Sequence, residues 1–123
     1  MVFGIGVDVC KIERFQKLAE DESFIKRFFN PGEIRQFDAS SRASEYYASR
    51  FAVKEAFSKA LGTGLKGFEL KDIFVVNNEQ GKPEIKLEKS AEEIFAKICP
   101  GGKINLSISH EKEYAAAFVV IEQ

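Results

Sequence analysis

Tyr47-Ala48-Ser49-Arg50-Phe51-Ala52-Val53-Lys54-Glu55-Ala56-Phe57-Ser58-Lys59-Ala60-Leu61-Gly62 is the most informative run in the chain. Val53, Ala56, Phe57, Ala60 and Leu61 make an apolar stripe at helical spacing. Gly62-Thr63-Gly64 supplies a stop signal. The pattern predicts the longest helix of the protein, from about Ala43 to Leu61. Tyr47, Phe51 and Phe57 are interleaved around it, so the helix is apolar on nearly every side and should be buried. Four charged side chains on such a helix are costly unless partners satisfy them. At about 100° per residue, Glu55 and Lys59 share one face, a turn apart, while Arg50 and Lys54 share another. Two readings stay open: a helix-surface ion pair worth roughly a few tenths of a kcal/mol, or a site.

On the N-terminal side, Val2–Val9 is apolar with small residues and predicts a buried first strand. Ile12, Phe15, Leu18 and Ala19 then line one helical face, with Lys11, Arg14 and Lys17 off it. Phe24, Ile25, Phe28 and Phe29 keep helical spacing until Asn30-Pro31-Gly32 stops it. A short helix is expected around Glu33–Phe37. On the C-terminal side, Ile73–Asn77 and Glu84–Leu87 flank a turn-rich segment and predict a hairpin. Ser90-Ala91-Glu92-Glu93 has a capping-box pattern opening a helix through Ile94, Phe95 and Ile98. Ile104, Leu106 and Ile108 alternate with polar residues as a half-buried strand. After a turn at His110–Glu113, Tyr114–Ile121 returns as a strand apolar on both faces. Early helices and late antiparallel pairs predict an α+β fold, an antiparallel sheet packed on the long central helix and shorter ones. No repeat or linker divides residues 1–123, so a single domain is expected.

Composition narrows the function. The 123 residues are 45% apolar and 30% charged, enough for a core and unlike a disordered chain. No apolar run approaches the roughly 20 residues of a membrane span, and the N-terminus lacks the basic start of a signal peptide. Two cysteines without a CxxC pair and one histidine exclude zinc fingers and disulfide frameworks. A reduced, cytoplasmic protein is expected, and any metal in it should be held by oxygen. All five arginines lie in the first 50 residues, whereas residues 61–123 carry eight lysines against ten acids. The net charge of −1 does not suit bulk nucleic-acid binding, but a local basic surface for a phosphate compound or an acidic protein is compatible with it.

Gly4-Ile5-Gly6 invites a dinucleotide reading, but the third glycine is replaced by Val9 and both glycines lie inside the strand. Ser107, Ser109 and His110 do not form a nucleophile–base set, because neighbours on a strand point to opposite faces. Asp8, near the end of an apolar strand, is either a half-buried paired carboxylate or a ligand for a hard cation.

Together these pieces resemble one family. Gly4-Ile5-Gly6-Val7-Asp8-Val9 with Ile12 and Arg14, Arg50-Phe51-Ala52-x-Lys54-Glu55-Ala56 with Lys59-Ala60-Leu61-Gly62, and Leu106-Ser107-Ile108-Ser109-His110 match, in order, the signature of the small bacterial-type 4'-phosphopantetheinyl transferases, the holo-[acyl-carrier-protein] synthases. Asn77 and Gly81-Lys82-Pro83 resemble the family's hairpin. The resemblance implies the 4'-phosphopantetheinyl transferase fold, commonly a homotrimer with active sites between subunits. It also implies transfer of phosphopantetheine from coenzyme A to a serine of apo acyl carrier protein. Adenosine 3',5'-bisphosphate is released, Mg²⁺ is required, and the reaction supports fatty acid biosynthesis.

Carried onto this chain, the resemblance makes Asp8 and Glu55 the Mg²⁺ ligands. One or two carboxylates with phosphate oxygens suffice for that ion. Glu55 or a metal-bound water would accept the serine proton. Lys59 is expected at the pyrophosphate, Arg50 and His110 at the adenosine-side phosphate, and Lys54 as a further phosphate contact. Carrier proteins are acidic, so Arg14, Lys17, Lys26 and Arg27 are expected to form the docking surface. The rival readings are a non-catalytic nucleotide- or partner-binding module and a Mg²⁺-dependent phosphohydrolase using water.

Overall fold

The computed structural model describes residues 1–123. The chain runs through β1 (Val2–Lys11), a 3-10 turn at Ile12–Arg14, α1 (Phe15–Leu18), α2 (Glu22–Phe28) and α3 (Ser40–Leu61). A second 3-10 turn at Leu70–Asp72 leads to β2 (Ile73–Asn77), β3 (Pro83–Leu87), α4 (Lys89–Ile98), β4 (Lys103–His110) and β5 (Tyr114–Glu122). The strands β1, β5 and β4, in that order, make an antiparallel three-stranded sheet, and β2 with β3 makes a separate antiparallel hairpin.

The alternation of β1 sends Gly4, Gly6, Asp8 and Cys10 towards α3 and the intervening residues to the opposite face. Two glycines on the inner face let the helix come unusually close. A Cβ on Gly4 would stand 1.9 Å from the Ala60 carbonyl oxygen, and one on Gly6 would stand 2.0 Å from that of Ala56. The GIG motif is therefore a packing device. It brings backbone onto backbone and places Asp8, the next inward side chain, beside the helix.

The helix itself buries Ala48, Ala52, Val53, Ala56, Phe57, Ala60 and Leu61. Each large apolar side chain among them contributes about 1.5–3 kcal/mol. Ala115, Ala117, Val119 and Ile121 of β5 form the matching inner face of the sheet. Gly62 ends the helix at φ 88°, a left-handed cap that glycine adopts without strain. Phe15, Phe24, Phe28 and Phe51 tie α1, α2 and α3 together, with ring centroids 4.9–6.4 Å apart. No helix is long and apolar enough to cross a membrane.

Three local expectations are corrected. The helix expected around Glu33–Phe37 does not form: residues 31–33 are a turn and the following stretch is irregular. The Glu33 side chain is drawn inward instead, where it accepts hydrogen bonds from the backbone N–H groups of Asn30 at 3.1 Å and Val75 at 3.2 Å. Ser90 does not cap α4. Its hydroxyl donates to Asp72 and accepts from the Glu69 N–H at 3.0 Å, joining the helix to the second 3-10 turn. The first helix is broken into a 3-10 turn and a single α-turn.

Candidate active site

Asp8, Glu55 and Lys59 meet where the end of β1 crosses α3. Lys59 Nζ donates to the Val7 carbonyl at 3.0 Å and to Asp8 Oδ1 at 3.3 Å. The Asp8 side chain is only 13% exposed, whereas that of Lys59 is 55% exposed and opens to solvent. Glu55 stands beside Asp8 within hydrogen-bonding reach. Burial chiefly raises the Glu55 pKa above the usual carboxylate range; the Asp8 charge and hydrogen bond add to this, while Lys59 and Arg14 oppose it.

Two adjacent carboxylates that repel one another, with an exposed ammonium at their edge, form an all-oxygen donor pair suited to a hard dication. The chain has no cluster of three or more His, Cys, Asp or Glu side chains that could enclose a metal. A cation at Asp8 and Glu55 would thus keep coordination positions for other oxygen ligands. Cys10, next on the same strand face, is buried and free, and burial pushes its thiol pKa up.

Arg50 and His110 fall in a different place. They line a cleft of about 290 Å³ with Phe37, Arg42, Glu45, Tyr46, Ser49 and Ile108. His110 Nε2 lies 3.3 Å from Glu45 Oε1, and the Arg50 guanidinium lies 4.3 Å from the centre of the Tyr46 ring. Arg50 and Glu55 are five positions apart on one helix, so they project about 140° apart around its axis. Their partners Asp8 and His110 lie on β1 and β4, the two strands flanking β5. One chain cannot easily present both groups to one small ligand.

Arg42 and Tyr46 escaped the sequence reading, although residues 42, 46 and 50 follow an i, i+4, i+8 pattern that places them on one helical face. A larger cavity, about 780 Å³, lies elsewhere, between the 3-10 turn after β1 and the start of α3. It includes none of Asp8, Glu55, Lys59, Arg50 and His110.

Lys54 is corrected from a phosphate contact to an interior residue. Its side chain is 1% exposed, and its ammonium bonds Glu33 Oε1 at 2.7 Å, the Leu70 carbonyl at 3.2 Å and the Ile73 carbonyl. Every donor of the ammonium has a protein acceptor, and no path from solvent remains. The expected docking residues are exposed: Arg14 on the first 3-10 turn, Lys17 on α1, and Lys26 and Arg27 in the last turn of α2. Arg14 is close enough for its charge to act on Glu55, so this basic surface begins at the rim of the carboxylate pair.

Residues 4–119 match the 4'-phosphopantetheinyl transferase superfamily, and the chain belongs to that superfamily. Within it, the chain resembles proteins named holo-[acyl-carrier-protein] synthase. It is 44% identical to that of Geobacter sp. (strain M21) over 126 residues, covering 100% of both chains. It is 45% identical to that of Treponema denticola over 124 residues, covering 99% of each. Among solved structures, the Neisseria meningitidis holo-[acyl-carrier-protein] synthase superposes with a TM-score of 0.87 at 33% identity, covering 100% of both chains. The Bacillus anthracis enzyme in complex with CoA (3',5'-ADP) superposes with a TM-score of 0.77 at 35% identity, covering 98% of this chain and 96% of that one.

Proposed function

We propose that this chain transfers 4'-phosphopantetheine from coenzyme A to a serine hydroxyl of apo acyl carrier protein. The observation that carries the reading is the convergence of Asp8, Glu55 and Lys59 at one solvent-accessible point, in a chain whose full-length relatives bear this activity in their names. In the reaction the serine oxygen forms a bond to the phosphorus on the pantetheine side. The bridging P–O bond of the pyrophosphate breaks, and adenosine 3',5'-bisphosphate leaves.

Asp8 and Glu55 fit Mg²⁺ as carboxylate ligands. Bound there, the ion would supply positive charge that offsets the charge building on the leaving bisphosphate. Lys59 pairs its exposed ammonium with the pyrophosphate. Glu55, or a water beside it, would accept the serine proton. Arg50 and His110 hold the adenosine-side phosphate. The decisive assay incubates the chain with coenzyme A, Mg²⁺ and an apo carrier protein and weighs the carrier. Gain of one phosphopantetheine supports the transferase, nucleotide release without carrier supports a phosphohydrolase, and no turnover supports a binding module.

Docking of the acidic carrier is assigned to Arg14, Lys17, Lys26 and Arg27. Arg14→Glu is expected to raise KM for the carrier several-fold, leave KM for coenzyme A nearly unchanged, and flatten the salt dependence of association. Equal carrier kinetics at low salt would move the docking surface elsewhere.

The site is completed by assembly into a homotrimer. The outer face of the sheet exposes Ile5 by 61%, Val9 by 59% and Phe118 by 44%, joined by Val7 and Tyr114. This contiguous apolar strip is of the kind that self-association covers. With the carboxylate pair and the Arg50 cleft facing apart in one chain, a subunit boundary can bring one chain's pair to its neighbour's cleft. Co-refolding inactive Asp8→Asn with inactive Arg50→Ala is therefore expected to restore some wild-type sites and measurable turnover. A fully active monomer by light scattering at nanomolar concentration would exclude this arrangement.

A further inference from the structure

Arg50 is held in an unusual way. No carboxylate lies within ion-pair distance of it; the chain's ion pairs involve Arg42, Lys54, Lys59, Lys71 and His110 instead. Its Nη1 donates to Ser49 Oγ at 3.1 Å, and its Nε is buried without an acceptor. The remaining support is the Tyr46 ring, whose centre lies 4.3 Å from the guanidinium carbon. That ring is itself fixed. Its hydroxyl donates to the Glu33 carbonyl at 2.6 Å, and its faces and edges meet Phe37 at 5.1 Å and Tyr47 at 5.0 Å between centroids.

From this arrangement we infer that Tyr46 is a positioning residue, which presents the Arg50 guanidinium to the adenosine-side phosphate of coenzyme A without neutralising it. The inference rests on the phosphate role assigned to Arg50 above. A carboxylate in the place of Tyr46 would orient the guanidinium equally well but would cancel the charge that the phosphate needs. An aromatic ring attracts a cation through its quadrupole and leaves the full charge and the outward N–H donors available. Tyr46 also suits the task chemically. Its phenol is a neutral donor to Glu33 at physiological pH, and burial raises its pKa further. Arg42, across the cleft, offers a contrast: it is exposed and only loosely paired with Asp38 at 3.8 Å. Of the two arginines, Arg50 is the pre-set one.

Glu33 links this device to the interior. Its carbonyl fixes the Tyr46 hydroxyl while its carboxylate binds Lys54, one residue from Glu55. The turn at residues 31–33 therefore braces α3 at two points about two helical turns apart.

The test compares coenzyme A with the same molecule lacking its 3'-phosphate. Tyr46→Leu removes the ring, and Tyr46→Met removes it with a longer, more flexible side chain of similar volume, so that a folding failure of one leaves the other. Both are expected to raise KM for coenzyme A on the order of tenfold with little change in kcat. The preference for coenzyme A over its 3'-dephospho form should fall by a similar factor. Tyr46→Phe, which keeps the ring, should retain most of that preference. Arg50→Ala is run in parallel, with its preference between the two nucleotides read from equilibrium binding rather than turnover. If Arg50→Ala abolishes the preference and the Tyr46→Leu and Tyr46→Met variants keep it, Tyr46 does not position Arg50. If Arg50→Ala keeps the preference as well, the phosphate role of Arg50 itself is wrong.

Discussion

Glu55→Gln is expected to lower turnover on the order of 10²-fold or more, the loss typical of removing a major transition-state electrostatic contact. Glutamine preserves the length and helix propensity of the side chain but removes both the ligand charge and the proton acceptor. Asp8→Asn should behave likewise. The Mg²⁺ concentration needed for half-maximal activity should rise in both variants. Stability should move in the opposite direction. In the folded protein the Glu55 pKa is raised, chiefly by burial and then by Asp8, so protonated Glu55 favours the folded state. That contribution is present below the ordinary carboxylate range and is lost as pH rises through the raised value. Above the raised value, ionised Glu55 therefore opposes folding, and a permanently neutral glutamine should raise Tm there when no metal is added. Added Mg²⁺ should raise Tm in the wild type and do so far less in the variant. Unchanged turnover with an unchanged Mg²⁺ titration would remove Glu55 from the site.

Lys54→Met is expected to cost about 3–5 kcal/mol of folding stability, the usual result of removing one partner of a buried ion pair. The loss comes less from the missing attraction than from what stays behind. Glu33 is 1% exposed and would lose the ammonium that faces it at 2.7 Å, leaving a buried carboxyl without its partner. The carbonyls of Leu70 and Ile73 would also lose a donor. Together these contacts clamp α3 to the turn at residues 31–33 and to the entry of β2, so loosening should spread beyond the substituted position. Urea denaturation measures the loss, and a cost below about 1 kcal/mol would mean that the pair is solvated. The fraction that folds should keep its KM for coenzyme A. A specific increase in that KM would return Lys54 to the phosphate site.

The same lysine shows where sequence reasoning reaches its limit. Helical arithmetic correctly separated Glu55 and Lys59 from Arg50 and Lys54, because residue spacing on a helix is a local property. It could not say which charged face was turned inward. That depended on Glu33, 21 positions earlier, whose carboxylate reaches the lysine only once the turn after α2 has folded onto α3. The helix expected at Glu33–Phe37 failed for the same reason: a carboxylate committed to the core bonds two backbone N–H groups in place of local helical geometry. Ser90 carried a local capping pattern, yet Asp72, 18 residues before it, captured its hydroxyl. Long-range polar partners overrode local preference in all three places.

By itself, the sequence determined the order of the main elements, the long buried helix and the late antiparallel strands. It also determined that Glu55 and Lys59 lie one helical turn apart. All of these follow from periodicity and composition. Only the tertiary structure decided that the GIG motif meets the helix backbone, which is what brings Asp8 to Glu55 and Lys59. It alone separated this cluster from the Arg50 cleft, set Tyr46 beneath the guanidinium and moved Lys54 into the interior. The physical reason is that spacing along the chain specifies which side chains share a face. Which face is buried, and what answers each buried charge, is set by segments that meet only in the folded protein.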